Sequence, residues 1–167
     1  EDPLALRVAA MFIRGFIGYM KDHPAIIAWE PGNECNCLSQ SNANSSWVWL
    51  NTICSAIRLS DPERPVFSGM HGGTTDKHQA FNLLITGELC DAVTTHPYPA
   101  FTPHCGQSAL NNIPAIYHAI AETLYYRGIT GKPAFIEEIG SFGPGYLSGE
   151  RTGKYLYTIA VIKLCRQ

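Results

Sequence analysis

Apolar and polar positions along the chain alternate between two periods. Leu4, Val8, Met11, Phe12, Phe16 and Tyr19 recur at helical spacing, which predicts a helix over residues 4–21 that ends at His23 and Pro24. A continuous apolar run follows at 25–29, short enough and unbroken enough for a strand covered on both faces of a parallel sheet. Pro31 and Gly32 turn the chain, and the polar stretch 37–46 reads as a loop. The same sequence of events then repeats, with helices predicted over 47–59, 81–89, 113–126 and 152–164 and strands over 66–70, 91–95 and 133–138. Gly128 and Gly131 stand where the fourth helix should stop.

Helix and strand therefore alternate at roughly 30–40 residues per unit, the rhythm of consecutive right-handed crossovers. An open doubly wound sheet and a (β/α)8 barrel share that rhythm. A barrel needs eight strands and ~250 residues. Four strands in one unit spanning residues 1–167 would be about half of a barrel, its strands four to seven. A flavodoxin-like binding domain without catalysis is the alternative, complete at this length.

Polar chemistry collects at the C-terminal ends of the predicted strands. Glu30, Asn33 and Glu34 follow the first, His71 the second, His96 and Tyr98 the third, while Glu137 and Glu138 close the fourth. Ligands bind at that edge in parallel α/β folds. With only 16% charged residues in the chain, four such ends bearing acids and imidazoles point to a functional site. Cleavage of a glycosidic bond needs two carboxyl groups flanking it. Glu34 and Glu138 are three βα units apart, so they would face each other across a barrel mouth, whereas an open sheet would hold them ~14 Å apart. Glu30 and Glu137 are the rival carboxylates. Neighbouring strand residues point to opposite faces, so one of Glu137 and Glu138 is expected at the site, and Glu138 lies further toward the edge.

These residues carry a resemblance. Residues 23–34 (HPAIIAWEPGNE) resemble the fourth-strand motif of clan A glycoside hydrolases, and residues 132–140 (KPAFIEEIG) its seventh-strand motif. Residues 91–99 (DAVTTHPYP) are similar to the sixth strand. Within the clan the look is nearest to glycoside hydrolase family 5 with its β-mannanases and cellulases. The resemblance implies a retaining hydrolase of β-linked mannan- or glucan-type substrates, with Glu34 as acid/base, Glu138 as nucleophile and Asn33 on the substrate 2-hydroxyl. It also implies that His96 and Tyr98 bind sugar and orient the nucleophile. Cys35 and Ile139 depart from the pattern, standing where the family often has Pro and an aromatic residue. A retaining start requires Glu34 protonated and Glu138 ionised, with Tyr98 able to donate to Glu138. His71 joins the substrate-binding set, and Trp29, Trp47, Trp49 and Phe101 are flat faces on which a pyranose could stack, although Trp29 sits inside an apolar run.

Other chemistries find less support. A formal net charge of −2 with scattered Lys and Arg gives no nucleic-acid partner, and no apolar run approaches the ~18 residues expected of a membrane span. Carbohydrate is the expected partner, and no cofactor is implied. Residues 149–154 (GERTGK) miss the phosphate-loop spacing by one residue. A metal site from His71, His96, His104 and Cys105 has neither an i,i+4 nor a C-x-x-C pair behind it, so no metal is expected. The six cysteines read as structural thiols, Cys54 and Cys165 inside helical apolar patterns.

Overall fold

The computed structural model describes residues 2–38, 41–98 and 113–140. The helix predicted at 152–164, the loop at 149–154, and Phe101, His104, Cys105 and Cys165 lie outside them. Helix α1 spans Pro3–Met20, with Asp2 as its N-cap accepting from the Leu4 amide and Pro3 at the first turn, where a missing N–H costs nothing. Cys35–Leu38 forms the short helix α2. Helix α3 covers Ala43–Ser60, so the expected loop at 37–46 is shorter than its composition implies. Asn42 caps α3 by accepting from the Ser45 amide, which lets Ala43 and three polar residues extend the helix N-terminally. Asn42, Asn82 and Asp2 thus do the same job, since Asn82 caps α4 (Leu83–Leu89). Helix α5 runs Ile113–Thr130, passing through Gly128 and stopping before Gly131.

The strands are shorter than their apolar runs. Strand β1 is Val93–Thr95, paired in parallel with β2, Ala134–Ile136. The first two expected strands reduce to single parallel bridges, Trp29 with Val66 and Phe67 with Ala92. The pairing is nevertheless sequential: first run on second, second on third, third on fourth. The first run was expected to be covered on both faces, but Ile27 is 79% exposed. Nothing among the described residues pairs on its outer side.

The core lies between helices and strands. Helix α1 packs on α3, and α4 and β1 pack on α5. Leu50, Ile53, Ile57, Val66, Met70 and Leu89 form the centre of the buried cluster, joined by the free thiols Cys54 and Cys90. These two are the structural thiols expected of a reduced core. At the opposite end from the strand tips, buried Asp61 accepts from the Trp29 indole N–H at 2.9 Å and from Arg64 at 2.7 Å. Burial opposes its charge, but the bonds from Trp29 and Arg64 outweigh that and hold its carboxyl down at about 2.

Among the described residues, α1 is the helix that bears on a membrane span. Helix α1 has the length and apolar content of a span. Its composition is read better as a two-sided helix: Ile17, Ala9 and Ile13 pack on the core, while Arg7 and Arg14 interrupt the apolar surface.

Candidate active site

The strand tips converge. The Glu34 amide donates to the Gly69 carbonyl at 2.6 Å, the His96 amide to the His71 carbonyl at 3.0 Å, and the Glu137 amide to the Thr95 carbonyl at 3.1 Å. The parallel ladder therefore continues beyond the regular strands and ties the four tips together. Glu34 sits at φ 49°, a left-handed conformation that costs a non-glycine residue about 1–3 kcal/mol and is concentrated at functional sites. Gly69 has room for no side chain: a Cβ there would meet the Gly32 carbonyl and the Glu30 carboxylate.

His96 is the hub. It is fully buried and reaches carboxylates from both ring nitrogens, Nδ1 to Glu34 Oε1 at 2.8 Å and Nε2 to Glu137 Oε2 at 3.0 Å. Glu138 Oε1 is 3.8 Å from the same Nδ1. The separation of those Glu34 and Glu138 oxygens is thereby capped at the sum of the two distances. His71 Nδ1 also meets Glu34 Oε1, at 3.0 Å, and its ring lies parallel to that of Tyr98. The Tyr98 hydroxyl donates to Glu138 Oε2 at 2.9 Å. Gly140 makes this possible, because a Cβ there would run into the Tyr98 ring.

Electrostatics follow from these bonds. Burial disfavours charge on Glu34, but the hydrogen bonds to His96 and His71 outweigh it and hold the carboxyl below its ordinary range. Burial likewise opposes the charge on His96, and bonds to Glu137 and Glu34 overcome it and raise the imidazole. Glu137 is held low against burial by His96 and Glu30. The raised carboxyl is Glu30, pushed to about 7 by burial and by its hydrogen bond to Glu137. Burial and the bond to Glu138 push Tyr98 up to about 12, so it stays a donor.

Of the residues singled out in the sequence, Glu34, His71, His96, Tyr98 and Glu138 are brought together, and Asn33 is exposed beside Glu34. Trp29 is not. Its indole is committed to Asp61 and its ring meets Phe16 edge-on, which makes it a packing residue rather than a sugar platform. Trp49 packs edge-on against Phe81, and Trp47 is partly exposed. The expectation that only one of Glu137 and Glu138 reaches the site is also corrected. Both lie past the end of β2, where strict alternation lapses, and both approach His96. Glu34 was expected to be protonated, but two imidazoles favour its charged form. Sequence reasoning missed Asn36, which donates to the Gly72 carbonyl at 2.6 Å and accepts from the His71 amide at 3.2 Å. A lone Asn between two cysteines gives no sign of such a clamp. A cavity of about 560 Å³ opens beside Glu34, bounded by Asn36, His71, Gly73, Glu122 and Tyr126.

Comparisons with known proteins bear on the fold. No protein-family model matches the chain. A protein of Oryza sativa subsp. japonica with the provisional name mannan endo-1,4-beta-mannosidase 9 is 31% identical over 90 residues, covering 47% of this chain and 22% of that protein. Among solved structures, an exo-beta-1,4-mannosidase from Opitutaceae bacterium strain TAV5 superposes with a TM-score of 0.72 at 21% identity, over 99% of this chain and 31% of its own. An endo-beta-1,4-mannanase from Thermotoga petrophila gives 0.67 at 23% identity, over 93% and 38%. The resemblance to mannan-type glycoside hydrolases is thus met by a curated relative and by solved structures. At these identities the structures show a shared fold. The chain spans less than half the length of each relative.

Proposed function

We propose that residues 1–167 are a segment, strands four to seven, of a (β/α)8 barrel that hydrolyses β-linked mannan- or glucan-type glycans with retention. Sequential pairing of all four strand runs supports the barrel, since a flavodoxin-like sheet reverses strand order at its switch point. The observation that carries the chemistry is the convergence of Glu34 and Glu138 on one imidazole nitrogen. A shared imidazole nitrogen supports a closely spaced pair, as the ~5–5.5 Å separation of retaining enzymes requires.

In this reading Glu138 attacks the anomeric carbon and forms a glycosyl ester, oriented by the Tyr98 hydroxyl. Glu34 enters the cycle charged, takes a proton from His96, 2.8 Å away, and passes it to the leaving oxygen as negative charge develops there, which leaves Glu34 charged again. It then acts as base on the water that releases the sugar. His71 and Asn33 border the sugar, the first held in place by Asn36.

The test uses a protein carrying this segment in a complete barrel. Glu138→Gln is expected to abolish hydrolysis. Glu34→Gln should lose about 100- to 10,000-fold on substrates with poor leaving groups but retain the first step on an activated aryl glycoside. Azide needs no base, so it should restore turnover to Glu34→Gln and give a β-glycosyl azide. Azide rescue of Glu138→Gln with retention, and none of Glu34→Gln, would reverse the two roles.

A further inference from the structure

We propose that Glu34, His71 and His96 form a zinc-binding site whose occupation excludes catalysis. One ligand atom from each of Glu34, His71 and His96 lies within 4.8 Å of the other two, the one such grouping among the described residues. The two carboxylate–imidazole distances are 3.0 and 2.8 Å. Ligands sharing a tetrahedral zinc at ~2.0–2.2 Å stand roughly 3.3 Å apart, so these pairs are already near their place and only the gap between imidazoles must close. Two imidazoles and one carboxylate are a donor set suited to zinc, and three protein ligands leave a fourth position for water.

The surroundings fit as well. His96 Nε2 is held by the Glu137 carboxylate at 3.0 Å, the carboxylate–imidazole pairing that fixes which nitrogen faces a metal. His71 is fixed through its backbone by Asn36. The adjoining cavity supplies an entry path and room for the water ligand. Binding replaces the protons shared between Glu34 and the imidazoles, which pass to solvent as the three metal–ligand bonds form. The residues are 37 and 62 positions from Glu34 in the chain, which is why local spacing shows no metal motif.

Binding itself does not depend on the glycosidase reading, whereas inhibition rests on it. The experiment separates them. Cobalt(II), a spectroscopic stand-in for zinc, is titrated into the full-length protein that carries these residues, with folding of each variant checked by its melt. A visible band of a four-coordinate cobalt site is expected, bleached by one equivalent of zinc. His71→Ala should weaken cobalt by more than the ~10–100-fold expected for the supporting change Glu137→Gln. His78→Ala, on an exposed residue off the cluster, should leave the titration unchanged. A folded protein without the band would overturn the proposal, as would His71→Ala binding like the parent. So would loss of the band in Cys37→Ser alone, which would assign the metal to that exposed thiol. If cobalt binds at the cluster and the protein hydrolyses no glycoside, the metal site stands and the proposed function falls.

Discussion

At the scale of single residues, the chain of contacts Glu30–Glu137–His96–Glu34 shares protons among three carboxyls and one imidazole. Glu30 has its folded value raised from 4.5 to about 7, so between those limits the folded protein holds a proton that the unfolded chain has released. The stability it contributes is full below 4.5 and is lost as pH rises through about 7. Glu30→Gln, which keeps a donor to Glu137 and cannot ionise, should flatten the fall in Tm across that window. An unchanged pH profile of Tm would show that Glu30 does not titrate there. Much of this scale was legible beforehand. The acids and imidazoles at strand tips were visible because apolar runs end at them. The direction of the Glu34 shift was not, because it depends on two imidazoles reaching it from 37 and 62 residues away. Glu137 was discounted by an alternation rule that stops with β2 at Ile136.

At the scale of elements, helices were read well and strands only in position. Helix α1 differs from its expected bounds by one residue at each end, because Asp2, Pro3 and His23-Pro24 mark its limits locally. Helix α3 begins four residues early because Asn42 caps it, and Asn42→Ala should lower stability by about 1 kcal/mol, read from denaturant melts. The turn after β2 carries a sharper consequence. Gly140 exists at that position because the Tyr98 ring occupies the space of its side chain. In a complete barrel with the proposed activity, Gly140→Ala should therefore displace Tyr98 from Glu138 and depress kcat as much as Tyr98→Phe does. The double variant should be no worse than either single one, since both remove the same bond. Additive losses would show that Gly140 acts through something other than Tyr98.

At the scale of the whole molecule, the apolar side chains on the outer surface of α1 decide what the chain needs around it. Leu4, Met11 and Phe12 are each more than 60% exposed, Phe16 is 47% exposed, and Phe12 and Phe16 stack on one another. Ile27 on the neighbouring strand run is 79% exposed. Apolar exposure on this scale is expected to be covered, and the solved relatives that share the fold are more than twice as long. If a preceding strand and helix of a complete barrel pack there, Phe12→Lys has opposite effects in two settings. In the 167-residue chain alone it removes exposed apolar area, so light scattering should report less self-association. In the complete barrel it buries a charge and empties a packed site, and the melt should report a loss of about 3 kcal/mol or more. Equal and small effects in both settings would mean that the α1 face remains open in the longer protein, and the half-barrel reading would lose its support at this edge.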